Sequence, residues 1–287
     1  VIMPGYHAAK ILCRRIASPS VIVLDLEVPT LTSFQPGQWI DFMVPPYKWI
    51  GGFSPFSLPS ELPNVSIAIK QSNHPPSQWV HSNESMEVGR PVQVQVGGKC
   101  VLSTLKTSSS ADGVLSKTQP VVFCAGGIGI SPLLSMYRQW SHLQEQCLID
   151  EDFGHVIPPS SFLYSVSTED ELVFQKELVE TTTLLKSMEH TPTCTHNLKS
   201  SNSNSRSKHS LIFTITQSQE WKDDLKNEFE RHGVQCKTGR SMKDFLQDAN
   251  PISSFHICGP SSMLDEGVEL LQNRGVSKEH IHFERWW

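Results

Sequence analysis

The sequence predicts two domains: an all-β antiparallel barrel, then an α/β domain with a parallel sheet and helices on both faces. Three observations lead there. The first hundred residues carry short, partly alternating apolar runs separated by turn residues. From residue 119 onward apolar runs take turns with helical patterns. Between one such run and the helix after it, the stretch VVFCAGGIGISPLLSMYRQW (121–140) breaks into three glycines and a proline.

In the first part, the strand candidates are 21–28, 38–44, 64–70 and 91–98, with Pro36-Gly37 among the turns between them. Several short strands at this spacing suit a small barrel or sandwich, assigned to residues 1–104. The Ser-rich stretch inside 105–118 reads as a linker. In 119–287, the run ending at Gly127 is a strand and 132–145 a helix; 161–166 is the next strand. Thr168 to Glu171 carries a capping-box pattern that predicts a helix start. A strand at 211–217, a charged amphipathic helix at 220–233, a strand at 254–260 and a helix at 261–275 complete the alternation, which calls for a parallel sheet. Residues 189–210 are rich in Ser, Asn and His, cannot form a core, and are expected to be a disordered insertion.

Composition excludes some functions. The 287 residues carry a formal net charge of -5 and show no Lys/Arg stripe, which argues against nucleic-acid or anionic-membrane binding. No apolar stretch nears the roughly 20 residues that span a bilayer. Seven scattered cysteines without a C-x-x-C pair or zinc spacing suggest reduced thiols in an intracellular protein and no metal or iron–sulfur site.

The glycine stretch is the strongest chemical signal. Gly126, Gly127 and Gly129 lack a Cβ, so backbone N–H groups there can approach a ligand closely. Ser131 reads as an N-cap and Pro132 as the first helical residue. A helix start offers unpaired donors and the positive end of its dipole, which together can hold a diphosphate without a basic side chain. Taken alone, the same residues also fit a plain tight turn. A second stretch, HICGPSSM (256–263), repeats the design: strand, Cys258-Gly259-Pro260, helix.

These two turns in order, with the FQPGQWIDF stretch at 34–42 and the closing HFERWW, resemble the ferredoxin–NADP reductase-like superfamily. The resemblance covers nearly the whole chain and implies a flavin-binding barrel followed by a pyridine-dinucleotide domain. It implies that Gly126, Gly127, Ile128, Gly129, Ile130, Ser131 and Pro132 hold a dinucleotide pyrophosphate, and that Cys258, Gly259 and Pro260 lie by the nicotinamide. Cys258 reads equally as a small buried hydrophobe. Glu284 with Trp286 resembles the carboxylate and terminal aromatic that border the flavin, or else a C-terminal strand burying aromatics.

On the flavin side the R-x-Y-S motif of the family aligns with Gly51-Gly52-Phe53-Ser54 or with Ser54-Pro55-Phe56-Ser57; distance from Pro36-Gly37-Gln38 favours the first. The motif arginine is missing in both. In the first register Phe53 stacks on an isoalloxazine and Ser54 reaches its reactive nitrogen, or both are ordinary barrel residues. Ser77, in NHPPSQWVH (73–81), stands at the second flavin-phosphate segment, with Pro75 and Pro76 where flexible glycines are usual. The resemblance thus implies NAD(P)H-dependent oxidoreduction: hydride passes between nicotinamide and flavin with Ser54, Cys258 and Glu284 beside the reacting rings, toward an acceptor the residues do not name. FAD is expected, weakened by the missing arginine. NADH is expected over NADPH, because 164–170 lacks an arginine for the extra phosphate and Glu169 and Asp170 repel one; Arg240 is the competing cation. The alternative is a dinucleotide-binding sensor or partner subunit with a degenerate flavin site and no turnover. The resemblance also implies a mitochondrial location.

Overall fold

The computed structural model describes residues 2–82, 88–102, 119–149, 158–189 and 209–285. The linker expected at 105–118, most of the insertion expected at 189–210, and Trp286 lie outside them. Contacts divide the chain into two units: Val1–Leu102 with Ile128–Met136 and Asp170–Val173, and the remainder.

The first unit carries six antiparallel strands, β1 (His7–Ser18), β2 (Val21–Glu27), β3 (Trp39–Val44), β4 (Trp49–Phe53), β5 (Asn64–Lys70) and β6 (Pro91–Gly97), in the order β4-β3-β6-β1-β2-β5. A bridge between Pro55 and Ile67 brings the chain beyond β4 against β5, so the sheet curls on itself. Alternation fills the inside with Leu24, Leu26, Ile40, Phe42, Val65, Ile67, Ile69 and Val94. Helix α1 (Pro75–His81) packs beside β3, β4 and β5. Its two prolines occupy the first helical positions, where a missing N–H costs nothing. The stretch set at the family's second flavin-phosphate segment thus includes this helix.

The second sheet is wholly parallel: β7 (Val121–Gly126), β8 (Ser160–Val166), β9 (His209–Ile215), β10 (Gln235–Thr238), β11 (Ser254–Cys258) and β12 (Ile281–Phe283), in the order β10-β9-β8-β7-β11-β12. On one face α5 (Met242–Asp248) and α6 (Ser261–Asn273) pack Phe245, Leu246, Leu264 and Leu271 against Cys124, Leu163, Phe255 and Ile257. The other face is aromatic. His282, His256, Phe123 and Phe162 stack in a row across four neighbouring strands, with centroid spacings of 4.7, 5.5 and 5.4 Å. Tyr137 of α2 (Ile130–Ile149) leans on both Phe123 and Phe162. On the same face α4 (Asp223–Arg231) sets Phe229 edge-on to Phe213 at 4.9 Å. Burial first, and His282 second, hold the His256 imidazole well below its ordinary pKa, so it is neutral inside this stack.

Two helix starts differ from expectation. A 3-10 turn over Gly127–Gly129 runs straight into α2 at Ile130, so Ser131 is inside the helix and not its N-cap, and Pro132 is the third helical residue. The capping-box pattern at Thr168 to Glu171 forms only a 3-10 turn, Glu169–Glu171; α3 (Gln175–Met188) starts after Phe174, which adopts left-handed backbone with φ 60°. At the other end of α3 the expected disorder does not begin at 189 or run to 210. Glu189 closes the helix, and its carboxylate accepts from the backbone N–H of His209, the first residue of β9, at 3.1 Å. His209 Nδ1 in turn meets the Ser160 hydroxyl at 2.8 Å.

Phe123 joins both neighbours in the stacked row and touches Tyr137. Phe123→Ala is expected to cost about 3–5 kcal/mol, read as a lower denaturant midpoint for the second unit.

Candidate dinucleotide site and flavin wall

Strand order reverses between β7 and β11: the chain builds outward through β8, β9 and β10, then returns to the opposite side of β7 for β11 and β12. In open parallel sheets the crevice beyond the strand ends at such a reversal is where ligands bind. Both glycine turns of the sequence meet there. Cys258 is paired with Ala125, so Gly126 and Gly259 are the next residues on two adjacent strands. A Cβ on Gly259 would lie 3.1 Å from the Gly126 Cα and 2.9 Å from the Met263 sulfur; one on Gly126 would lie 2.8 Å from Pro260 Cδ. Neither position has room for a side chain, because the thioether of Met263 and the neighbouring turn fill the space a Cβ would take. Met263 is thus part of the construction of the turn.

Gly127 takes a positive φ of 53°, and Gly129 is buried as the chain enters α2. Ile128 is half-buried; Ile130, Ser131 and Pro132 are buried. The Ser131 hydroxyl has no hydrogen-bond partner among the described residues. A buried hydroxyl left without a partner costs free energy on the order of 1–3 kcal/mol. It stands in the first turn of α2, directly after the 3-10 turn.

Cys258 is buried at the end of β11, Gly259 is half-buried and Pro260 is exposed. Glu284 follows β12. Arg285 beside it hydrogen-bonds Asp265 on the second turn of α6, which ties the C-terminal segment to the helix that begins just after Pro260. Burial raises the Glu284 carboxyl to about 7. Sequence reasoning singled out Glu284 but not the Asp265–Arg285 pair, which carries no motif.

At the far side of the sheet, beyond β8, Glu169 is buried and accepts from the backbone N–H of Lys222, the residue that caps α4. The Lys222 ammonium lies 3.6 Å from the same carboxylate. An internal anion therefore already sits at the positive start of α4. Arg240 follows β10 and is exposed.

The flavin-side candidates sit differently. Phe53 faces the barrel interior opposite Ile40, half-buried, with its ring edge-on to Phe42 at 6.0 Å. Trp79 of α1 approaches the same Phe42 ring at 6.4 Å. Ser54 is buried. Ser77 is buried too; its hydroxyl donates to the Lys70 carbonyl at 2.8 Å and accepts from the Ser72 N–H at 3.0 Å. A Cβ on Gly51 would lie 2.7 Å from the Phe53 ring and 3.2 Å from Pro76 Cβ. A side chain at position 51, where the favoured register puts the motif arginine, would have to displace the Phe53 ring. The residues present do not fit the diphosphate half of FAD.

No protein-family model matches the chain. Over 286 residues it is 32% identical to oxidoreductase NAD-binding domain-containing protein 1 of Pongo abelii, covering 98% of this chain and 79% of that protein. Its human counterpart is 30% identical over 285 residues, covering 98% and 80%. Among solved structures, the cytochrome P450 reductase GcoB of Amycolatopsis has a TM-score of 0.71 at 15% identity, covering 98% of this chain and 69% of that one. A ferredoxin NADP+ reductase from Neisseria gonorrhoeae, solved with bound FAD and NADP, has a TM-score of 0.67 at 15% identity, covering 98% and 99%. The fold is that of the ferredoxin–NADP reductase-like flavoprotein oxidoreductases. Within that class, the chain belongs to the oxidoreductase NAD-binding domain-containing protein 1 family.

Glu284 should couple stability to pH. Its folded pKa of about 7 lies above the unfolded 4.5. Its stabilising contribution is full below about pH 4.5 and is lost as pH rises through about 7. Relative to Glu284→Gln, the protein should lose on the order of 1 kcal/mol across that window, after allowance for solvent screening. Paired thermal melts at several pH values measure this; a constant difference between the two proteins would reject it.

Proposed function

We propose that the chain is an NAD(P)H-dependent oxidoreductase of the ferredoxin-reductase type that moves hydride between a nicotinamide and a flavin. One observation carries the reading: Gly126 and Gly259 sit side by side where the strand order reverses, and neither has room for a Cβ. A crevice lined by bare peptide at that position suits a dinucleotide pyrophosphate. In this reading the backbone of 126–132 binds the diphosphate. Gly259 and Pro260 leave flat space for the nicotinamide ring at the end of β11, with the Cys258 side chain behind it. Glu284 holds or releases a proton near neutral pH beside that ring. The nicotinamide supplies the hydride; the chain orients the ring and keeps water from it.

With the nicotinamide at β11, the adenosine end lies over β8 and β9. There the Glu169 carboxylate holds the start of α4, and Asp223 and Asp224 follow in its first turn. A phosphate dianion added at the ribose would meet those charges, so NADH is the preferred donor. Arg240 and Lys222 are the opposing cations, and Lys222 is committed to Glu169. A mitochondrial location accompanies this reading and is checked by organelle fractionation.

The crowding at Gly51 favours a second reading, a dinucleotide-binding sensor or partner subunit that does not turn over. Purified protein separates the two. Oxidation of NADH in the presence of flavin supports the enzyme; thermal stabilisation by NADH without oxidation supports the sensor.

Gly129→Asp places bulk and negative charge at the pyrophosphate and should abolish the NADH-induced rise in Tm. An undiminished rise would reject the site. Glu169→Gln should raise NADPH affinity relative to NADH about tenfold, the size of one partly screened charge repulsion; isothermal titration with both dinucleotides measures it.

A further inference from the structure

We infer that Arg285, held by Asp265 of α6, is a positioning residue that turns Glu284 toward the end of β11. This rests on the functional reading above, which puts a nicotinamide there, and names the group that keeps Glu284 beside it.

Strand β12 is three residues long and lies at the edge of the sheet, with β11 as its neighbour. Phe255, His256 and Ile257 pair with Ile281, His282 and Phe283. One more step in that register sets Glu284 level with Cys258, the last residue of β11, and Cys258 pairs on its other side with Ala125. Glu284 therefore stands at the sheet end that carries Gly126 and Gly259. So short a strand does little to fix its own continuation. A slip of one residue would exchange the faces of every side chain beyond it.

The side chains settle which face each residue takes. Ile281 joins the core under α5 and α6, and His282 stacks on His256 on the opposite face. Alternation then gives Phe283 and Arg285 the α6 side and Glu284 the other. Two contacts hold that order: the Arg285 guanidinium lies 6.0 Å over the Phe283 ring and donates to Asp265 on α6. Arg285 in turn holds the Asp265 carboxyl below its usual pKa. Glu284 is left half-buried, and burial is what raises its carboxyl. The other charged and titratable groups on the packed elements are Glu266 and Glu269 on α6, His256 and Cys258 on β11, and His282 on β12. An exposed pair adds little to the stability of the whole fold. A chain end, however, frays at small cost, so a bias of a few fold decides how often Glu284 is in place.

Titration of the full chain, followed by carbon NMR at the Glu284 carboxyl, reads its midpoint directly. Arg285→Met and Asp265→Ala should each lower that midpoint by about 0.5 or more, because a roughly threefold loss of the held position lets the carboxylate meet water. Charge effects alone would move the two variants apart: losing the cation raises the midpoint, and losing the anion lowers it. Arg285→Lys keeps the pair and should return most of the way to the parent value. Tm should stay within about 2 °C in all three variants, which separates positioning from general damage. A midpoint that rises in Arg285→Met, or that stays unchanged in either Arg285→Met or Asp265→Ala, would overturn the inference. Falling midpoints in a protein that binds no NADH would support the positioning and overturn the functional reading.

Discussion

The lack of room for a side chain at Gly126 and at Gly259, neighbours at the ends of β7 and β11, is the constraint on which the front edge of the α/β unit is arranged. Adjacent parallel strands normally diverge at their ends as their turns leave for opposite faces. Here both chains leave β7 and β11 without side chains, so they stay together for one more residue before α2 and α6 depart. Met263 caps the pair and Ala125 and Cys258 prop it from the sheet. The crevice that results has walls of peptide, and its polarity comes from N–H groups and helix ends rather than from ionised side chains.

Much of this was legible in sequence because it is local. Strand periods, the two glycine turns and the alternation of strand with helix are short-range patterns, and they led to the right order of antiparallel sheet and then parallel α/β sheet. β1 was missed because its register shifts between Ile11 and Cys13 and again between Ile16 and Ser18, which spoils the period-two pattern. Pro75-Pro76 read as a break in chemistry, whereas prolines at the first two helical positions simply start α1. Ser131 matched a capping residue, but the 3-10 turn before it moved the helix start upstream.

The candidate site was legible only in its glycines. That Glu169 would hold the start of α4 depends on a residue more than fifty positions away. The crowding of Gly51 depends on how the Phe53 ring folds back and on where α1 lays Pro76. Neither fact has a sequence signature. A missing arginine suggested a weakened phosphate contact; the structure adds that the Phe53 ring occupies the space beside Gly51.

The tie between Glu189 and His209 has a consequence for how this chain can evolve. The two residues are joined by hydrogen bonding at the point where the sequence leaves α3 and where it re-enters at β9. Whatever length of chain connects them, the sheet receives the same two anchored ends. The stretches at 103–118 and 150–157 likewise lead into the starts of β7 and β8, opposite the edge that carries the glycines. Chain length between α3 and β9 is thereby separated from the glycine edge, where a single methyl group is already too large.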